Sequence, residues 1–575
     1  MASNAKYALW LQKAVEDSDL IEELKRISGD EKEIYDRFYK ELEFGTAGLR
    51  GVIGAGTNRM NIYTVRRTTQ GLANYLNSKK EGASVAIAYD SRIKSELFAR
   101  ECARVLAANG ITARIVKELQ PVPVLSFAVR ELRCDAGIMI TASHNPAKYN
   151  GYKCYGPDGC QMTDTDADNV YAEILKVDLF DGVEEISFDQ GLETGKIVYI
   201  EDSFYDKYLD CLEAQSVNPG VCAGSGLKIV YTPLNGAGNK LVRKILARIG
   251  VKEIQVVPEQ ELPDGNFPTC PYPNPEFREA LTLALKLAQE SKPDLVLATD
   301  PDSDRVGIAV KDGDDYRLMT GNETGIMLMN YILSCRKRNG TLPERPVAVK
   351  TIVTSEMIPR ICADYGCELR NVLTGFKYIG EQILGLERAG EADRFVFGFE
   401  ESYGYLAGTY VRDKDAVVTS MLICEMAAYY RRQGKSLVQV INELYDRYGY
   451  YQNTTLSYSF EGAEGMEIMA GKMSFMREHP FREIAGMKVV KTADYQLSEA
   501  VDLATGQKTE IKLPKSNVLS YSLEGGAAVI VRPSGTEPKI KVYVTSVGKD
   551  LAHASQITKP VSYTHLRAHE TSQDL

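Results

Sequence analysis

The hydrophobic positions of this chain fall into short unbroken runs, separated by longer stretches in which apolar residues return every three to four positions. The runs at 85–89, 136–140, 227–231, 295–299, 347–353, 395–399 and 527–531 are bounded by polar, Gly- or Pro-containing segments, as strands buried on both faces are. Between them, helical spacing is read over 62–77, 97–109, from 204 onward, over 323–333 and 417–430, and in a helix ending near 448. Strands alternating with helices predict an α/β protein. Over 6–42 charged and apolar residues alternate at helical spacing, and the apolar set Leu9, Leu11, Val15, Leu20, Leu24 and Ile27 predicts amphipathic helices packed on the outside of a first domain.

A chain of 575 residues exceeds one hydrophobic core, and about three to five domains are expected. The acidic segments 178–185 and 193–202 read as the exit from the first. The divisions expected are 1–203, 204–315, 316–448 and 449–548, followed by a tail, 549–575. The tail shows little helical periodicity and carries three of the five histidines, His553, His565 and His569; it reads as a non-native end rather than a metal site.

Composition then removes several function classes. Lys+Arg 68 against Asp+Glu 78 leaves a net charge of -10, which argues against broad binding to nucleic acid or an anionic membrane. No apolar run approaches the ~18 residues of a membrane span, and Lys6, Lys13, Glu16, Asp17 and Asp19 break up any signal peptide, so a cytoplasmic location is expected. Eleven cysteines without a Cys-x-x-Cys pair fit reduced, buried thiols, Cys154 and Cys160 included.

The candidate chemistry follows the strands. Thr141-Ala142-Ser143-His144-Asn145-Pro146 leaves the run 136–140, at the carboxyl end where open α/β sheets place ligands, and makes Ser143 a candidate nucleophile. Lys153, ten residues on, is a proton-transfer residue or phosphate partner, or a solvated lysine in a turn. Phe44 to Gly51, with three glycines, reads as a loop that approaches a ligand and offers Arg50, or as a plain glycine-rich turn. Asp300, Asp302 and Asp304 alternate; in an extended chain they share one face roughly 6.6 Å apart, so the loop must curve to bring them together. Three converging carboxylates imply a hard divalent cation such as Mg²⁺. The bland alternative is an exposed acidic turn. An EF-hand is excluded, because Arg305 and Lys311 stand where its Gly and Glu belong.

Three further segments complete the inventory. Glu400-Glu401-Ser402-Tyr403-Gly404 could accept hydrogen bonds from vicinal hydroxyls of a sugar, with Lys414 completing the pocket or facing solvent. Arg532-Pro533-Ser534-Gly535-Thr536-Glu537-Pro538, with Lys541, supplies hydroxyls, turn amides and cations suited to a phosphate dianion. Two nucleotide motifs fail: Asn235-Gly236-Ala237-Gly238 has Leu241 in place of its third glycine, and Gly434-Lys435-Ser436 has Tyr429 in place of the first P-loop glycine.

Taken in order, Phe44–Gly51, Thr141–Pro146, Asp300–Arg305, Glu400–Gly404 and Arg532–Pro538 resemble the α-D-phosphohexomutase superfamily, in its phosphoglucomutase and phosphopentomutase branch, over about residues 40–545. The resemblance implies four domains around a central cleft, the first three with related mixed α/β sheets and the last a smaller α+β phosphate-binding domain. It implies a phosphoserine at Ser143, with Mg²⁺ held by that phosphate and by Asp300, Asp302 and Asp304, and charge tempered by His144, Arg50 and Arg305. It further implies proton handling by Lys153, His144 or Lys414; sugar contacts from Glu400, Ser402, Thr374 and Lys377; and a phosphate grip from Arg532, Ser534, Gly535, Thr536 and Lys541. The activity implied interconverts glucose 1-phosphate and glucose 6-phosphate, with glucose 1,6-bisphosphate as intermediate and activator, in a monomer or homodimer. Phosphopentomutase, phosphomannomutase, sugar-bisphosphate synthase, a phosphatase and a non-catalytic phosphosugar-binding protein are the alternatives. One departure is expected: the closing helix of the family's last domain is missing from 549–575, which would leave that domain weakened.

Overall fold

The computed structural model describes residues 2–45, 47–460, 465–534 and 539–567. Four sheets follow one another along the chain. The first has strands β1 (Gly48–Val52), β2 (Ser84–Tyr89), β3 (Thr112–Ile115), β4 (Ala136–Ile140), β5 (Tyr149–Tyr155) and β6 (Ile197–Tyr199), in the order β1-β5-β4-β2-β3-β6. The second has β7 (Lys228–Thr232), β8 (Glu253–Val256), β9 (Leu295–Thr299), β10 (Val306–Asp312) and β11 (Asp315–Met319), in the order β11-β10-β9-β7-β8. The third has β12 (Val347–Thr351), β13 (Glu368–Val372), β14 (Phe395–Glu400) and β15 (Gly404–Leu406), in the order β13-β12-β14-β15.

These three sheets repeat one plan. In each, a parallel strand buried at every position, β4, β9 or β14, is followed by a loop and an antiparallel partner, β5, β10 or β15. The serine, aspartate and Glu400 loops are those three connections, so equivalent corners of three related sheets carry the chemistry. Because β11 pairs with β10, the second sheet runs on to Met319.

The fourth sheet is largely antiparallel. Strands β16 (Tyr450–Ser459), β17 (Glu483–Ile484), β18 (Met487–Asp494), β19 (Glu499–Asp502), β20 (Lys508–Glu510), β21 (Leu519–Leu523), β22 (Ala528–Pro533) and β23 (Lys539–Gly548) run β16-β23-β22-β21-β18-β19-β20, with β17 paired to β18. The Arg532 segment again connects an antiparallel pair, β22 and β23. The first three units share a continuous core, whereas the fourth has its own around Met473, Ile484, Val489, Leu523 and Val544.

The N-terminal helices expected from the sequence are present, with Leu20, Leu24 and Ile27 buried, but two expectations are corrected here, the packing of the first helix and the missing closing helix. The N-terminal helix Ala2–Lys13 buries Tyr7 and Trp10, followed by Ala14, while Leu9 and Val15 are 43% and 61% exposed and Leu11 also faces out. Trp10, 1% exposed, stacks edge-on against Phe38, Tyr63 and Phe180, and the larger aromatic payload set the helix rotation. The chain after β23 does form a closing helix, Leu551–Arg567. Ala554 and Thr558 are buried there, Ile557 joins the fourth core, and Ser546 Oγ lies 2.7 Å from Thr558 Oγ1. Small and hydroxylated residues make that buried face, which is why hydrophobic periodicity failed to show it. Among the described residues no helix is long and apolar enough to cross a membrane.

Candidate functional site

Ser143 is buried and sits in left-handed backbone, φ 51°, a conformation that costs a non-glycine residue roughly 1–2 kcal/mol. Its surroundings over-determine it. The Ser143 N–H donates to Thr141 Oγ1 at 2.8 Å, and the Arg92 guanidinium, fully buried, donates to the carbonyls of Ser143, Asn145, Pro146 and Tyr149. The hydroxyl is left aimed out of the loop: Ser143 Oγ donates to Asp300 Oδ2 at 2.9 Å and lies 3.1 Å from His144 Nδ1. Burial, and then the nearby Arg305 and Arg50 charges, holds the His144 imidazole well below its usual range, so the ring is neutral.

Asp300, Asp302 and Asp304 come together with ligand oxygens within 4.8 Å of one another, all three residues buried. The turn that gathers them is fixed from inside: Asp300 Oδ1 accepts the backbone N–H groups of Asp304 and Arg305, at 3.1 and 2.9 Å. A second turn supports it from behind. A Cβ on Gly236 would lie 2.4 Å from Pro301 Cα, so the Asn235-Gly236-Ala237-Gly238 segment is a backing for the aspartate loop. Burial and then the charges of Asp302 and Asp304 push the Asp300 carboxyl well above the usual range; Asp302, also opposed by burial, is nevertheless held below it by Lys153. Asp302 Oδ1 and Asp304 Oδ1 are buried with no hydrogen-bond partner. Acceptor-only oxygens left unpaired at such a convergence fit a hard divalent cation, which takes several carboxylate oxygens at once.

Two lysines border this cluster. Lys153, on β5, donates to Asp302 Oδ2 at 3.1 Å, and Lys414 lies 3.1 Å from Asp304 Oδ2. Lys414 thus sits at the aspartate loop. Asp304 and Asp413 hold its ammonium above the usual lysine range even though burial opposes it. Arg50 lies on β1, exposed, with Nη1 3.5 Å from Asn145 Oδ1. The stretch expected as a glycine-rich ligand loop is therefore largely a strand: a Cβ on Gly48 would meet the Tyr152 carbonyl oxygen at 2.2 Å, so its glycine serves strand packing.

The Glu400 loop lies against the aspartate loop. The Arg305 segment bridges to Gly404, and the Val306 N–H donates to Tyr403 O at 3.1 Å, so aspartate and Glu400 loops are stitched together. Glu400 Oε1 accepts the Gly375 N–H at 2.7 Å, which brings the half-buried Thr374 beside it. Lys377 is turned to the first unit, with Nζ 2.6 Å from Asp164 Oδ1. Ser402 and Lys541 line a common cavity of about 280 Å³ between the third and fourth units. Arg532 and Lys541 are register partners on β22 and β23, and Ser534 N donates to Lys539 O at 2.7 Å. Gly535 and Thr536 lie outside the described residues.

Comparison with known proteins agrees with this layout. The sequence matches the four family descriptions "Phosphoglucomutase/phosphomannomutase", alpha/beta/alpha domain I over residues 41–180, domain II over 206–313, domain III over 320–448 and the C-terminal domain over 487–556. The chain belongs to the phosphoglucomutase/phosphomannomutase family. It is therefore an enzyme of the phosphohexomutase type. A phosphoglucomutase of Staphylococcus saprophyticus is 37% identical over 93% of this chain and 95% of its own, and one of Staphylococcus aureus is 36% identical over the same shares. Among solved structures, parafusin, a phosphoglucomutase of Paramecium, superposes with a TM-score of 0.67 at 16% identity, covering 91% of this chain and 95% of its own. A phosphoglucomutase/phosphomannomutase family protein of Burkholderia thailandensis gives 0.65 at 19%, covering 90% and 95%. At these identities the structural likeness speaks for the fold.

Sequence reasoning about this family member missed Asp90, Arg92 and Thr141. Asp90-Ser91-Arg92 leaves β2, the parallel neighbour of β4, so it lies on the same carboxyl edge as Ser143; that adjacency was the available signal. Arg92→Met strips four carbonyls of their donor and leaves buried Asp90 without its ion partner, 3.5 Å away. It is expected to lower stability by about 3–5 kcal/mol, read as a shift of the first urea unfolding transition; an unshifted transition would show that the loop holds itself.

Proposed function

We propose that this chain interconverts α-D-glucose 1-phosphate and glucose 6-phosphate by way of a phosphoserine at Ser143, with glucose 1,6-bisphosphate as the intermediate. The observation that carries the reading is the Ser143 hydroxyl, buried, held in left-handed backbone and 2.9 Å from a carboxylate of a three-aspartate cluster. A serine presented to a cation site suits phosphoryl transfer, where positioning and charge stabilisation make up most of the catalysis.

Asp300, Asp302 and Asp304, with the phosphate on Ser143, would hold Mg²⁺, which supplies neutralisation of charge on the transferring phosphoryl oxygens when bound. The protein's own groups do the rest. In the first transfer the bond from Ser143 Oγ to phosphorus breaks as O6 of glucose 1-phosphate bonds to that phosphorus, and the O6 proton passes through neutral His144 to the departing Ser143 Oγ, 3.1 Å from the ring. In the second, the bisphosphate having turned over, Ser143 Oγ attacks the 1-phosphate and gives its proton to His144, which returns it to O1 as the O1–phosphorus bond breaks, so that glucose 6-phosphate leaves and the ring is neutral again. Lys153 and Lys414, ion-paired with Asp302 and Asp304, would face the oxygens that gain charge. Glu400, Ser402 and Thr374 would accept and donate to sugar hydroxyls, with Lys377 at the margin, and Arg305, Arg532, Ser534 and Lys541 would hold the phosphate that is not reacting.

The test is ³¹P NMR of the protein with Mg²⁺ and trace glucose 1,6-bisphosphate, in separate tubes of glucose, mannose and ribose 1-phosphates. Conversion of the glucose ester at the highest rate is expected. Faster conversion of ribose or mannose ester would move the assignment to phosphopentomutase or phosphomannomutase, and steady release of inorganic phosphate would make the protein a phosphatase.

A further inference from the structure

We infer that Asp413 is a positioning residue that seats the Lys414 ammonium on Asp304 before any ligand arrives, with Tyr155 and Gly404 completing the seat. The inference rests on the mutase reading above and adds to it a device that joins three units of the chain. Lys414 Nζ lies 3.1 Å from Asp304 Oδ2 and 3.1 Å from Asp413 Oδ1. Asp413 Oδ1 also accepts the backbone N–H of Lys414 at 2.8 Å, and its other oxygen accepts the Tyr155 hydroxyl at 2.6 Å. Both oxygens of Asp413 are thus engaged, on a side chain only 9% exposed.

Tyr155 stands on β5 two residues beyond Lys153, so the two side chains leave the same face of the strand. One strand of the first unit therefore supplies Lys153 to Asp302 directly and fixes Lys414 on Asp304 through the third unit's Asp413. The lysine stem is steered as well. A Cβ on Gly404 would lie 2.1 Å from Lys414 Cδ and 2.7 Å from Cγ, so the stem occupies space that only glycine leaves open. An unrestrained lysine has four rotatable bonds on a flexible stem. Seating it in advance removes that freedom from the transfer step, and a misplacement of about 1 Å can cost on the order of 10²-fold in rate.

The experiment compares the full chain with Asp413→Asn, Tyr155→Phe, Gly404→Ala, Lys414→Met and the double variant Asp413→Asn/Lys414→Met, under saturating glucose 1-phosphate. Asp413→Asn is expected to lower kcat about 10–100-fold with KM within about threefold, and Tyr155→Phe and Gly404→Ala to lower kcat in the same direction. If Asp413 acts through Lys414, the double variant is no slower than Lys414→Met alone. Losses that multiply in the double variant, or an unchanged kcat in Asp413→Asn, would overturn the inference. A second measurement needs no turnover: acetic anhydride labelling of the folded proteins, read by peptide mass spectrometry. Lys414 is expected to label slowly beside the 66% exposed Lys176 and at least about fivefold faster in Asp413→Asn and Gly404→Ala. Equal labelling in all proteins would sink the seating claim even if the mutase reading stands. Failure of the unaltered protein to convert any sugar phosphate would sink the mutase reading while the labelling still decides the seating.

Discussion

Ser143→Ala is expected to lower kcat by on the order of 10⁴-fold or more, with the fold intact. In the proposed cycle the Ser143 oxygen carries the phosphoryl group between turnovers, so without it no part of that cycle proceeds. The fold has little reason to respond, because Ser143 keeps its N–H bond to Thr141 Oγ1 and its carbonyl bond to Arg92 when only Oγ is removed. Steady-state assay at saturating glucose 1-phosphate, with far-UV circular dichroism as the fold control, reads both sides of this expectation. A variant that keeps a tenth of the activity would mean that the phosphoryl group rests elsewhere.

Asp300→Asn should separate stability from activity. The asparagine oxygen can keep both backbone N–H bonds that Asp300 Oδ1 accepts, so the loop stays curled. One negative charge is removed from a buried site where burial and two neighbouring carboxylates already oppose it. The Mg²⁺-free protein is therefore expected to unfold a few degrees higher, at about 2–4 °C per kcal/mol for domains of this size. Activity should fall on the order of 10²–10³-fold, since a ligand and its share of charge stabilisation are gone. Mg²⁺ should raise the unfolding temperature of the unaltered protein and leave the variant unmoved. Scanning calorimetry with and without Mg²⁺ checks this, and an equal Mg²⁺ response in both would place the cation elsewhere.

The parts of the site legible in the sequence were those where a strand run stops at a chemically loaded loop. Ser143 and the three aspartates follow strands buried at every position and Glu400 ends one, and periodicity finds such strands directly. What could not be read was which side chains reach across units. Lys414 meets Asp304, and Tyr155 meets Asp413, over sequence separations above 100 residues, and no local pattern encodes such pairs. Arg92 was hidden for a different reason: it sits in a Asp-Ser-Arg turn that looks solvated, and only the neighbouring strand order reveals that it is buried. The closing helix was hidden because small and hydroxylated residues such as Ala554 and Thr558 make its packed face.

The most direct measurement for the account as a whole is peptide mass spectrometry of the protein after incubation with glucose 1,6-bisphosphate that carries ¹⁸O-labelled phosphoryl groups, followed by a chase with unlabelled glucose 1-phosphate. The account predicts one labelled phosphoryl group on the peptide that contains Ser143, placed on that serine by fragmentation, and its loss to sugar phosphate during the chase. Phosphate found on another residue, or none on Ser143 while conversion of glucose 1-phosphate continues, would contradict it.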